Sequence, residues 1–328
     1  MASFRDSFHM LIFDEIFLVK TIVHPPYLKK GDTIGITCPA GFMDATKVEE
    51  CVRVLTALWG YKVKMGKTVG NQFHYFSGTD QERLDDFQEM LDDHSVKAIL
   101  CGRGGYGVGR IIDALDFKSF RKHPKWIIGF SDITVLHAHV LQRYGIATLH
   151  APMANAFNDG GFRSKYVQSL RNALAGGKME ISVKHHRYNH AGRAKGILTG
   201  GNLSLIAHLV GSKAEVDCKG KILFLEDVGE YLYNVDRMMH QLKRAGVLEG
   251  LAGLIFGGFS DMKDTQLPFG QTVEQILHEV VREYKYPICF GFPVSHEKEN
   301  YALTCGGRYS LEVGPSGVML TGLSQGRR

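Results

Sequence analysis

Apolar and polar residues along this chain alternate between two periods, and the elements they predict follow one another regularly through the first half. Residues Thr33 to Cys38 form a short apolar run that reads as a buried strand ending at Pro39-Ala40-Gly41. Val48, Val52 and Leu55 then recur at helical spacing, and Tyr61-Lys62-Val63-Lys64 resembles a second strand. Thr79-Asp80-Gln81-Glu82 is a capping box, predicting a helix whose inner face is Leu84, Phe87 and Leu91. The strand Lys97 to Cys101 runs directly into Gly102-Arg103-Gly104-Gly105-Tyr106-Gly107, followed by a helix carrying Ile111, Ile112 and Leu115. Trp126 to Phe130 is another apolar strand, and Asp132 to Tyr144 another helix. Strands and helices in alternation predict an α/β domain built on a mostly parallel sheet.

Between about 155 and 195 the pattern weakens. Asn158-Asp159-Gly160-Gly161, Gly176-Gly177 and the polar stretch Lys184 to Lys195 read as loops around one helix with Val167, Leu170 and Leu174 on its apolar face. A domain boundary is expected near 180–190, separating 25–182 from 183–328. The second half resumes with Leu198-Thr199-Gly200-Gly201-Asn202 and helices around Leu205 and Val235–Leu242. It adds the strands Lys221–Leu225 and Leu254–Phe256, a last helix with Ile276, Val280 and Val281, and short alternating strands over 300–320. It reads as mixed α/β.

Composition sharpens this picture at four points. A length of 328 residues accommodates two domains of roughly 150 residues each. The 38 glycines are about 12% of the chain, against a usual level of about 7%, without a short period; strand-end turns are where such residues are needed. The net charge of +5 is mild and spread out, in basic pairs such as Lys29-Lys30 and Arg121-Lys122, so no nucleic-acid partner is expected. Six cysteines show no CxxC pair and sit mostly in apolar runs, as free thiols of a reducing compartment would. At the N-terminus Asp14 and Glu15 split two apolar clusters. Neither makes a signal-peptide core, and nothing approaches the ~20 apolar residues of a membrane span, so a cytoplasmic protein without a membrane partner is expected.

In parallel sheets ligands bind beyond the carboxyl ends of strands, which directs attention to the strand-end loops. After Trp126–Phe130 comes Ser131-Asp132, immediately before a helix. A hydroxyl residue on such a turn fits a nucleophile elbow, though Gly129-Phe130-Ser131-Asp132-Ile133 lacks the second glycine of G-x-S-x-G, and helix capping by Ser131 is the alternative. After Ile222–Leu225 comes Glu226-Asp227, either a solvated or capping pair or a source of a catalytic carboxylate. After Ile288-Cys289-Phe290 comes Gly291-Phe292-Pro293-Val294-Ser295-His296. Three loops thus supply hydroxyl, carboxylate and imidazole, the set needed to deprotonate a serine near neutral pH. With 15 histidines in the chain, coincidence stays open. The glycine loop lacks the acidic residue of a dinucleotide fold and the Lys of a P-loop. Its backbone N–H groups could instead meet a carbonyl or carboxylate with Arg103 as an anion clamp, or it could be a tight turn only. His185-His186 and His190 have no nearby carboxylate in sequence, and His137-x-His139 would point to different helix faces, so neither metal nor organic cofactor is expected.

The run Gly129-Phe130-Ser131-Asp132-Ile133-Thr134, the loop Arg103-Gly104-Gly105-Tyr106-Gly107, Gly201-Asn202-Leu203, Leu225-Glu226-Asp227, and His296 with Asn300 resemble the LD-carboxypeptidases of the serine peptidase S66 type. The resemblance runs from about Pro25 to Val313, with the motifs in the family's order. It implies an N-terminal sheet domain similar to class I glutamine amidotransferases and a smaller mixed α/β C-terminal domain. It further implies Ser131 as nucleophile, Glu226 as orienting carboxylate and His296 as general base, with Asp132 N–H and the Gly104-Gly105 backbone as oxyanion donors. The activity implied is removal of the terminal D-alanine from murein tetrapeptide in cytoplasmic cell-wall recycling, by a homodimer. The microcin-immunity branch of the superfamily, acting on peptide-nucleotide or acyl-adenylate conjugates, is one alternative; a non-catalytic ligand-binding protein of the same fold is another. Ser295 stands where the family commonly has Gly, and Cys305 where Pro is frequent. Residues 1–24 lie outside the resemblance and read as an extension or added helix, with Met10 an alternative start.

Overall fold

A computed structural model describes residues 22–323. Of the expected extension 1–24, all but the last three residues therefore lie outside the described residues. The strands are β1 (Thr33–Thr37), β2 (Lys62–Met65), β3 (Val96–Cys101), β4 (Trp126–Gly129), β5 (Thr148–His150), β6 (Glu180–Val183), β7 (Gly192–Asn202), β8 (Ile222–Val228), β9 (Gly253–Ser260), β10 (Ile288–Cys289), β11 (Leu303–Cys305), β12 (Arg308–Gly314) and β13 (Gly317–Gly322). The helices are α1 (Thr46–Arg53), α2 (Asp80–Asp92), α3 (Val108–Ile111), α4 (Lys118–Lys122), α5 (Thr134–Tyr144), α6 (Lys165–Leu174), α7 (Leu203–His208), α8 (Leu232–Arg244) and α9 (Val273–Val281).

Two sheets organise these elements into two α/β domains. The first has the order β11-β5-β4-β3-β1-β2, parallel except for β11, which pairs antiparallel with β5. The second has the order β10-β9-β8-β7-β12-β13-β6, parallel from β10 to β7 and antiparallel beyond. Helices cover both faces of the parallel regions, so β4 and the first six residues of β8 are buried throughout, and both read as unbroken apolar runs ending in a chemical group. The chain crosses between the sheets more than once: β6 already belongs to the second, and β11 returns to the first.

Helix α2 begins with the expected capping box: Thr79 Oγ1 accepts from Glu82 N (3.2 Å) and Glu82 Oε2 from Thr79 N (2.7 Å). Its inner face differs from the expected one, because Arg83 and Asp86 are buried beside Phe87 and Leu91 while Leu84 is half-buried. The single helix expected around Ile111 and Leu115 is instead the one-turn α3 and a 3-10 turn, Ile112–Ala114, after which Leu115 is extended. One turn is enough to bury Ile111 and Ile112, so the apolar spacing is met without a longer helix. The loop expected over Lys184–Lys195 ends at Gly192, where β7 begins; its polar half alternates between half-buried and exposed positions as it pairs with β12.

Helix α5 occupies the junction. Its residues Thr134 to Leu141 are all buried, because one side faces the first sheet and the other meets α7 and β7 of the second domain. It ends at Gly145, in the left-handed conformation (φ +63°) that a helix C-terminus favours. The six cysteines are buried free thiols. Among the described residues no helix is long and apolar enough to cross a membrane.

Candidate active site

Ser131 is the first residue past Phe130 at the end of β4, in a 3-10 turn, Ser131–Ile133, that leads directly into α5. Its φ is +63°, a left-handed backbone that residues with a β-carbon generally avoid. A strained hydroxyl residue between strand and helix is the geometry of an elbow, which lifts Oγ clear of the sheet. The capping alternative finds no support, since neither the turn nor α5 has a side-chain cap.

The glycine loop passes against this elbow. A β-carbon on Gly104 would lie 2.8 Å from Ser131 Cβ and 3.1 Å from Oγ, so only glycine lets the backbone approach so closely. Gly104 O accepts a hydrogen bond from Gly41 N (3.0 Å), and in a planar trans peptide the next N–H, that of Gly105, therefore points away from Gly41. Gly105 itself has φ +103°. Arg103 is exposed and donates through Nη1 to Phe42 O (2.6 Å), which holds its guanidinium at the rim of the same loop.

The Asp132 side chain has a task that the sequence did not disclose. It is buried, and Oδ2 accepts from Val108 N (2.8 Å), anchoring the loop's far end to the elbow. Burial pushes its pKa up to about 6, against the pull of the Val108 N–H and the Arg83 charge. Arg83 clamps the loop from the other side. It is fully buried in α2 and donates to Pro39 O (2.6 Å) and Gly107 O (2.9 Å) while pairing with Asp80. The available clue was its place one helical turn before Phe87 on the apolar stripe, where an arginine must bring its own hydrogen-bond partners.

Across the junction, Glu226 stands near the end of β8, in register with Asn202 of β7, and is completely buried. Its Oε2 accepts a 2.6 Å hydrogen bond from His296 Nδ1. A carboxylate can only accept, so Nδ1 carries the proton and Nε2 presents its lone pair as a base. Burial lowers the imidazole pKa, but the Glu226 hydrogen bond and the charges of Glu226 and Asp227 outweigh it, and the net shift is upward. The ring of Phe130, the residue before Ser131, meets the His296 ring edge-on at 5.0 Å, bringing elbow and imidazole together. Nε2 makes no hydrogen bond in this structure, that to Ser131 Oγ included. Contacts of this kind commonly close only when substrate is bound.

The elbow serine, the glycine loop and the carboxylate-held imidazole are thus carried by two α/β domains. The family model described as the LD-carboxypeptidase N-terminal domain covers residues 34–151, and that of the C-terminal domain covers 195–311. The chain belongs to the LD-carboxypeptidase family. A probable murein peptide carboxypeptidase of Bacillus subtilis (strain 168) is 36% identical to it over 310 residues, 92% of this chain and 96% of the relative. The solved muramoyltetrapeptide carboxypeptidase from Oxalobacter formigenes shares the fold with a TM-score of 0.81 at 28% identity, covering 89% of this chain and 99% of that one. The microcin C7 self-immunity protein MccF of Escherichia coli is 25% identical over 330 residues, 90% of this chain and 94% of that protein. This LD-carboxypeptidase is a serine-type enzyme.

The acidic pair of this LD-carboxypeptidase divides its work. Asp227 turns away from His296; its carboxylate accepts from Asn202 Nδ2 (2.7 Å), Val228 N (2.8 Å) and Ser204 N (3.0 Å), tying α7 to β8. Its pKa, too, is pushed up to about 6 by burial. Gly201 and Asn202 meet the first turn of α5: Asn202 N donates to Thr134 Oγ1 (3.1 Å), and a β-carbon on Gly201 would lie 2.4 Å from that oxygen. Ser295 staples the histidine loop, donating from Oγ to Glu299 O (3.0 Å) and accepting from Glu297 N (3.0 Å). Cys305 is a buried residue of β11. His137 and His139 are both buried; His137 Nε2 lies 2.9 Å from Gly129 O, and the His139 ring stacks on Phe117. Among the described residues no group of three or more His, Cys, Asp or Glu side chains could hold a metal ion.

Proposed function

We propose that this serine-type carboxypeptidase removes the terminal D-alanine from a murein tetrapeptide, hydrolysing the bond between an L-configured centre and the D-residue. The observation that carries the proposal is the Glu226–His296 hydrogen bond, which leaves Nε2 as the free base on a ring packed against Phe130, the residue before a serine held at φ +63°. The names of the Bacillus subtilis and Oxalobacter formigenes relatives support the substrate class, and the 36% identity of the former exceeds the 25% of the microcin-immunity protein.

Each side chain then has a step. Ser131 Oγ gives its proton to His296 Nε2 as it bonds to the carbonyl carbon of the residue preceding D-alanine. The carbonyl oxygen becomes an oxyanion facing the N–H groups of Asp132 and the Gly104-Gly105 segment. As the tetrahedral centre collapses, the C–N bond breaks and His296 returns the proton to the departing amine. Water, deprotonated by the same imidazole, then releases the tripeptide acid from Ser131. Glu226 holds the tautomer and stabilises the imidazolium. Arg103, at the rim of the oxyanion loop, binds the free carboxylate of D-alanine, a group that its planar fork matches. The reading places the enzyme in cytoplasmic cell-wall recycling as a homodimer.

The deciding experiment is mass spectrometry of a murein tetrapeptide incubated with wild type and with Ser131→Ala. Loss of one alanine with wild type alone is expected; the same loss with Ser131→Ala would overturn the assignment of the nucleophile, and an intact peptide with wild type would overturn the substrate.

A further inference from the structure

Strand β5 ends on His150, which is in register with Gly129 of β4, two residues before Ser131. Its imidazole is completely buried, with the rings of Phe224, Phe130 and His137 at 5.0, 5.8 and 6.4 Å between centroids. Nε2 lies 3.2 Å from Asn300 Oδ1. A carboxamide oxygen only accepts, so Nε2 carries the proton and donates. Burial, with the neighbouring charges of His137 and His296, holds the pKa well below the ordinary value, so the ring is neutral.

Asn300 sits four residues beyond His296, where the chain leaves the second domain for the first. Hydrogen bonds and strand pairing fasten that crossing to the nucleophile's domain, beside ring contacts of Tyr166 with Tyr301 and of Phe130 with His296. Tyr166 Oη donates to Glu299 Oε1 (2.7 Å), Ala302 N donates to Ser169 Oγ (2.8 Å), and β11 pairs with β5. The His150–Asn300 hydrogen bond adds to these, tying a side chain at the end of the strand next to the nucleophile's to the loop of His296. Glu226 fixes the tautomer of His296 but belongs to the other sheet; the distance from Nε2 to Ser131 Oγ depends on where this loop docks.

We propose that His150 is a positioning residue, whose Nε2–H···Oδ1 bond to Asn300 sets the register of the His296 loop against the Ser131 elbow. This rests on the roles given above to Ser131 and His296. His150 touches no reacting atom, and it acts through Asn300. A displacement of about 1 Å in such a contact costs on the order of 100-fold in rate.

The test uses the full-length enzyme with His150→Phe, which keeps a ring and loses the donor, Asn300→Ala, the double variant, and His150→Gln, which restores an N–H donor. Three quantities are read: kcat and KM for tetrapeptide cleavage, the rate at which a fluorophosphonate labels Ser131, and Tm. His150→Phe and Asn300→Ala should each lower kcat and the labelling rate by roughly 10–100-fold with KM little moved, and His150→Gln should recover most of the loss. The double variant should be no worse than the poorer single one, because both remove the same bond. Losses that multiply in the double variant, or wild-type kcat with a fall in Tm alone, would overturn the proposal. If His150→Phe does not fold, Asn300→Ala and His150→Gln carry the same comparison. If wild type labels at Ser131 yet leaves the tetrapeptide intact, the substrate reading fails while the labelling rates still decide the role of His150.

Discussion

His296 Nδ1 donates to Glu226 Oε2 over 2.6 Å and so joins a loop docked on the first sheet to a strand of the second. Because the acceptor is a carboxylate, the bond specifies which imidazole nitrogen is basic. Glu226→Gln offers an amide N–H at the same place and favours the opposite tautomer. It should lower kcat by about 10⁴-fold while leaving KM nearly unchanged, as read by steady-state kinetics on the tetrapeptide.

The same carboxylate sets the pH range of activity. His296 must be neutral to accept the serine proton, so kcat/KM rises with pH through the imidazole pKa. Glu226 and Asp227 raise that pKa above 6.5 despite the opposing effect of burial, and the acid limb of the profile should have its midpoint above 6.5. A midpoint below 6.5 would contradict this electrostatic account.

Gly104 is required by contact. A methyl group there would meet Ser131 Cβ at 2.8 Å and Phe130 O at 3.3 Å, neither of which can swing aside. Gly104→Ala should displace the loop from the elbow and cost roughly 10²–10³-fold in kcat, the scale of a lost oxyanion donor. An unchanged circular-dichroism spectrum alongside slowed fluorophosphonate labelling would locate the damage at the site.

Asp132 makes a pH-dependent contribution to stability with an unusual sign. Its folded pKa, about 6, lies above the unfolded value of 3.8, so the folded state holds the proton more tightly. The stabilisation is present below 3.8 and is lost as pH rises through about 6, a change of roughly 3 kcal/mol. Asp132→Asn keeps an acceptor for Val108 N–H without a buried charge. Its Tm relative to wild type should therefore become more favourable on going from acid to neutral pH, and a difference independent of pH would count against the buried charge.

Arg103 is assigned to the substrate's carboxylate. Arg103→Lys loses the planar fork and should raise KM about 10-fold for the free acid, with a much smaller effect on the C-terminal amide. Equal KM changes for both substrates would remove Arg103 from carboxylate recognition.

Much of this architecture is legible in the sequence, and the gaps have physical causes. Strands buried on both faces, such as Trp126–Gly129 and Ile222–Leu225, announce themselves as apolar runs, and the polar groups that end them stand out against the run. Ser131, Glu226 and His296 stand out as candidates at the ends of such runs, while their roles come from the resemblance. Strand β5 has three residues, too few to display a period, so no pattern in the sequence marks His150 at its end. The first residues of β7 are half-exposed and polar, and look like a loop until β12 is seen beside them. Arg83 and Asp132 serve the glycine loop through contacts 24 residues distant along the chain; the spacing of Arg83 marks it as buried but does not name its partners, and Asp132 carries no such mark.

The antiparallel strand β11 makes the two domains interdependent. The segment that follows His296 is woven into the edge of the first sheet, and the chain then returns to the second sheet as β12 and β13. The two halves are sewn together rather than linked by a strap. A cut placed near residue 182 would therefore separate the first sheet from its own edge strand.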